Sequence, residues 1–87
     1  MSYQVHLTTQ ALKDLGEIPK VEKNKIKRKL FLLEKEIRIG KKLEGKLSNF
    51  FSLKAWPYRI IYLIDKKNEA WVTHIMHRKE VYKKLRK

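Results

Sequence analysis

Lys54, Arg59, Arg78 and Tyr82 are the residues whose types and spacing suggest chemistry. They lie in two strand-like runs of the last third of the chain. Ser52-Leu53-Lys54-Ala55-Trp56-Pro57-Tyr58-Arg59-Ile60-Ile61-Tyr62 sets lone cations among aromatic and β-branched residues. His74-Ile75-Met76-His77-Arg78-Lys79-Glu80-Val81-Tyr82 adds a basic and phenolic cluster. A strand holds its side chains in fixed directions, so such cations can converge on one phosphate. RNA carries its own nucleophile, the 2′-hydroxyl. Cutting it requires removal of that proton, charge stabilisation of a phosphorane and protonation of the departing 5′-oxygen. Arginine suits the phosphorane because its planar fork binds two phosphate oxygens at once. Lysine and tyrosine can move protons.

Each residue also has a structural reading. Arg59 shares the alternation phase of Ile61 and Leu63, so its face is not simply water, and it could pair with Asp65 or Glu69. Half-buried arginine is rare without a purpose, which favours a functional role. Lys54 shares a face with Ser52 and Trp56 and could be an ordinary exposed strand lysine. Tyr82, four residues after Arg78, could pack the tail on the sheet. His74 and His77 are spaced to point to opposite faces of a strand, which argues against a metal site. Lys79, Lys83 and the other tail cations read as charge that tracks phosphates.

The elements that must position these residues follow from pattern. Tyr3-Gln4-Val5-His6-Leu7 alternates like a half-buried strand. Thr8 and Thr9 are N-cap candidates for a short helix carrying Ala11, Leu12 and Leu15, which Gly16 stops. From Pro19, Ile26, Leu30, Leu33 and Ile37 form one helical stripe, with Gly40 as its terminator. Phe31 and Leu32 lie off the stripe and are expected against the first helix. Residues 41–49 read as a polar connection. Strands are expected at 50–56, 58–65 and 69–76, the last two joined by Asp65-Lys66-Lys67-Asn68. The tail suits a short basic helix. The expected fold is α+β: a small β-α-α-β-β-β sandwich, mainly antiparallel sheet on a helix hairpin, one domain over 1–87.

Composition narrows the function classes. Twenty-two Lys and Arg against nine Asp and Glu give a formal net charge of +13, more than solubility needs and suited to a polyanion. Cysteine is absent, which excludes disulfides, a thiolate nucleophile and cysteine-ligated zinc. No apolar run is long enough to span a bilayer and no secretory pattern opens the chain, so a cytoplasmic location is expected.

From Val5 to about Leu85 the chain resembles the RelE/ParE superfamily of toxin–antitoxin modules. The likeness rests on Ala11-Leu12-Lys13-Asp14-Leu15, the basic second helix, Lys42-Leu43-Glu44-Gly45-Lys46-Leu47, Tyr58-Arg59-Ile60-Ile61-Tyr62 and His77-Arg78-Lys79-Glu80-Val81-Tyr82. The resemblance implies a RelE-like endonuclease that cuts mRNA on the ribosome without metal or cofactor. It implies that Arg59 and Arg78 bind the scissile phosphate, that Tyr82 orients substrate, and that Lys54 contributes charge and an acid or base step. Lys46, Ser52, His77, Lys79 and Lys83 would contact RNA. At Ser52 the family pattern has a second lysine, so the general base is open, with His77 and Lys79 as candidates. An acidic RelB-like antitoxin would be the protein partner in a hetero-oligomer. The alternatives are a ParE-like gyrase poison without nuclease activity, and an inactive RNA- or ribosome-binding relative.

Overall fold

The computed structural model describes residues 2–80. Two helices lie on one face of a five-stranded sheet, in chain order β1 (Val5–Leu7), α1 (Thr9–Gly16), α2 (Lys20–Lys35), β2 (Lys41–Lys42), β3 (Phe50–Ala55), β4 (Tyr58–Ile64) and β5 (Ala70–His77). The spatial order is β1-β5-β4-β3-β2. β1 runs parallel to β5, and every other pair is antiparallel. The expected α+β layering is present, with one strand more than the pattern suggested. The expected C-terminal helix, Tyr82 and Lys83 lie outside the described residues.

Local chemistry accounts for the elements. Thr8 caps α1, its hydroxyl accepting from the Ala11 N–H at 3.2 Å. Asp14, one turn later, accepts from the Ile75 N–H at 3.0 Å. β1 covers β5 only through Val72, so this carboxylate occupies the donor that an adjoining strand would have taken. Alternation in β3, β4 and β5 sends Leu53, Ile60, Tyr62, Val72 and Ile75 into one core with Ala11, Ile26, Leu33 and Ile37. The other face holds a smaller cluster, Ile61 and Met76 with Phe50 against them.

Three expectations need correction. The second helix ends at Lys35, not at Gly40. Ile37 is buried as the stripe predicted, but from a turn that the Ile39 N–H closes on the Glu36 carbonyl at 3.1 Å. The Tyr62 hydroxyl replaces the missing helical bonds, donating to the Ile37 carbonyl and accepting from the Gly40 N–H, both at 2.9 Å. A Cβ on Gly40 would lie 2.7 Å from that hydroxyl, so glycine serves close approach and not helix termination. Second, the 41–49 connection contains β2 and a 3₁₀ turn over Gly45–Leu47. Gly45 sits exposed in the left-handed region at φ 66°. Two residues are too few to show a period. Third, Phe31 does not pack on α1 but stands in solvent, as does Leu12.

A bulge decides which β5 side chains face which way. Ile61 pairs with His74 and Tyr62 with Val72, leaving Thr73 as the extra residue. The alternation therefore reverses there. Ala70 and Val72 face the helices before it, Ile75 and His77 after it.

Candidate phosphate-binding site

β3 and β4 place Lys54 directly across from Arg59. Residues paired this way project from the same face with their Cβ atoms about 5 Å apart. Met76 stands across from Arg59 on the other side, and two residues later the Arg78 N–H donates to the Pro57 carbonyl at 2.8 Å. That bond ties the end of β5 to the β3–β4 turn. The Arg78 guanidinium then lies 4.8 Å from the Trp56 ring centre, with the Lys54 ammonium 5.8 Å from the same ring. Three of the four predicted cleavage residues thus gather at one end of the sheet, on the face away from the helices. The fourth, Tyr82, is outside the described residues.

A cleft of about 610 Å³ opens at this end. Arg59, Arg78 and Ser52 line it, joined by Lys41, Lys42 and Glu44 from the 41–47 segment. Arg59 is half-buried and, among the described residues, is paired with neither predicted acid. Asp65 accepts instead from the N–H groups of Lys67 and Glu69 and from the Trp71 indole, and Glu69 bonds His6 at 2.7 Å. Ser52 is 7% exposed, yet its hydroxyl has no hydrogen-bond partner among the described residues. A buried unpaired hydroxyl costs about 1–3 kcal/mol, and this one lines the cleft, where a ligand could satisfy it.

Lys41 was missed in the sequence reading. It pairs with Ser52 across β2–β3, so its side chain springs from the same face as Lys54 and Arg59. A two-residue strand inside a polar stretch leaves no signal for this.

The remaining predicted RNA contacts divide. Lys46 is exposed in the 3₁₀ turn between Glu44 and Leu47, at the cleft rim. Lys79 is exposed just beyond Arg78. His77 stands apart: it pairs with Tyr58, meets that ring edge-on at 5.7 Å, and so lies on the helix side of the sheet. Its Nδ1 accepts from the Lys79 N–H at 3.2 Å. Two ionisable groups outside the cleft have clear shifts. Burial pushes the Tyr62 phenol above its ordinary value, partly opposed by the Gly40 N–H. The Glu69 N–H, then the Trp71 indole, hold the Asp65 carboxyl below the usual range. Among the described residues no group of three or more His, Asp or Glu side chains could hold a metal ion, and no helix is long and apolar enough to cross a membrane.

Comparison with known proteins gives this arrangement a family. Residues 5–82 match the sequence model of the ParE toxin of the type II toxin–antitoxin system parDE. Toxin RelG of Mycobacterium tuberculosis is 31% identical over 87 residues, covering 97% of this chain and all of the relative. The toxin–antitoxin complex RelBE2 of the same organism contains a chain that superposes with a TM-score of 0.81 at 31% identity, covering 90% of this chain and all of that one. The isolated Escherichia coli RelE toxin shares the fold at a TM-score of 0.74 and 20% identity, over 95% and 94% of the two chains. Sequence and fold together make this chain a member of the RelE/ParE superfamily of type II toxin–antitoxin toxins, with a RelE-like architecture.

Proposed function

We propose that this toxin is an endoribonuclease that cuts mRNA on the ribosome and so inhibits translation. The observation that carries the reading is the pairing of Lys54 with Arg59 on adjacent strands, beside Arg78 one residue past β5, with no acid bridging them among the described residues. Uncompensated cations held in place are a binding surface for a charge that arrives with the substrate.

The step needs no group beyond the chain and the RNA. A base takes the 2′-hydroxyl proton, the oxygen attacks phosphorus, and the bond from phosphorus to the 5′-oxygen breaks. An acid then returns a proton to the leaving oxygen. The products are a 2′,3′-cyclic phosphate, or its hydrolysed form, and a 5′-hydroxyl. Arg59 and Arg78 stabilise the phosphorane, each worth about two to three orders of magnitude if it acts like an oxyanion-hole donor. Lys54 supplies charge and the acid step. Ser52 donates its free hydroxyl to a phosphate oxygen. Lys41, across from Ser52, is an amine on the correct face to remove the proton. His77, on the helix side, is poorly placed for that task. Tyr82 orients the substrate, and Lys46, Lys79 and Lys83 track its backbone. The reading implies a cytoplasmic protein.

An acidic RelB-like antitoxin is the proposed protein partner. Related toxins were solved as RelB–RelE complexes, and a chain of charge +13 associates fastest with an acidic surface.

Purified toxin is expected to cut ribosome-bound mRNA in EDTA, with activity lost in Arg59→Ala and in Arg78→Ala. Full activity in both variants would refute the site. The ParE family match supports a second reading, a gyrase poison without nuclease activity. Blocked supercoiling with intact mRNA would establish it. Salt-sensitive RNA binding with neither effect would identify an inactive relative.

A further inference from the structure

A groove of about 620 Å³ runs beside the cleft, between α2 and the edge of β3. β2 covers β3 only at Phe51 and Ser52, so Lys54 and the following Trp56 stand where that edge is free of β2. Lys25, Arg28, Lys29 and Lys35 face them from α2. At 100° per residue these positions fan over about 120° of the helix, from Lys29 about 60° off the buried Ile26 to Lys35 on the far side. No carboxylate lines the groove among the described residues, and of its cations Lys25 alone has an acid partner there, Glu22 at 3.6 Å.

Two aromatic rings stand in this basic setting. Phe31 is 57% exposed and Trp56 54% exposed, each with a cation by its ring. The Lys35 ammonium is 5.0 Å from the Phe31 ring centre. One exposed ring is ordinary on a protein surface. Two rings in a groove of a single charge sign are the combination that holds single-stranded nucleic acid: bases stack on the rings and phosphates follow the cations. An acidic helix would also find cations here. It would need a continuous apolar strip, however, and of the other apolar lining residues Leu32 is half-buried and Ala55 is 4% exposed.

We propose that this groove binds single-stranded RNA, holding nucleotides that flank the phosphate in the cleft, with Phe31 and Trp56 as stacking platforms. The inference rests on RNA being the substrate. It adds a second site, which shares Lys54 and Trp56 with the first.

The test uses full-length toxin and an uncleavable 2′-O-methyl oligonucleotide, so that binding is read independently of cleavage. In a Trp71→Phe background Trp56 becomes the single indole reporter. The oligonucleotide is expected to quench it and to bind roughly tenfold more weakly to Phe31→Ala, a residue that does not line the cleft. Arg28→Ala with Lys29→Ala should lower the salt slope by about 0.7 for each lost phosphate contact. Melting curves matching the parent show that the variants fold, and Phe31→Trp should restore affinity. Unchanged affinity in Phe31→Ala would overturn the proposal. So would an acidic amphipathic peptide that binds the groove while the oligonucleotide does not. If the oligonucleotide binds as expected but mRNA is never cut, the nuclease reading fails and the groove stands.

Discussion

The two ends of β4 carry similar polar density and opposite bonding. At the Asp65 end both carboxylates are answered within the fold: Asp65 accepts from two backbone N–H groups and the Trp71 indole, while His6 bonds Glu69 and stacks on Trp71 at 4.3 Å. At the Arg59 end, Arg59 faces Lys54 with Arg78 nearby, and the hydroxyl of Ser52 is buried without a partner. Polar residues that satisfy one another close a hairpin. Those left unsatisfied at fixed positions are free to meet a ligand. A buried hydroxyl without a partner beside the half-buried Arg59 therefore distinguishes this end better than charge does in a chain where cations are everywhere.

Substitutions can break this contrast. Arg59→Ala should have the largest effect, a loss of roughly 10²–10³-fold in cleavage rate with little change in melting temperature. A large loss of stability with residual activity would instead make Arg59 structural. Tyr62→Phe, between the two ends, should cost about 1–3 kcal/mol in denaturant unfolding, because it strips the bonds from the Ile37 carbonyl and the Gly40 N–H. The raised phenol pKa has a matching sign. Its stabilisation is complete below the ordinary value of 10.0 and is lost as pH rises through the folded value, so Tyr62→Phe should flatten the alkaline limb of the stability curve.

Asp65→Asn tests the other end and should leave cleavage untouched. The carboxyl is depressed in the folded state, so its stabilisation is present above the ordinary value of 3.8 and is lost as pH falls through the lower folded value. The Asn variant should melt at a lower temperature near neutral pH and show less acid sensitivity than the parent. His6→Ala should be the smallest effect, under about 1 kcal/mol for a partly exposed pair, with activity unchanged. Any loss of cleavage in either variant would show that the two ends are coupled.

Much was legible in the residues because it depends on short-range periodicity. The pairing of β3 with β4 follows from alternation on either side of Trp56-Pro57, and the stripe from Ile26 to Leu33 follows from helical spacing. The charge of +13 implies a polyanionic partner, and the runs carrying Arg59 and Arg78 carry the family resemblance that the comparisons bear out. Other features arise from contacts between distant segments, which no local pattern encodes. Tyr62 ends the reach of α2 by bonding chain 22 and 25 residues away. The extra residue Thr73 reverses β5, setting Met76 beside Arg59 and turning His77 to the helices. Lys41 comes to face the cleft because a two-residue strand pairs with Ser52. Local preferences select helices and strands; bulge, register and edge pairing select which side chains meet, because those are settled by packing across the sheet.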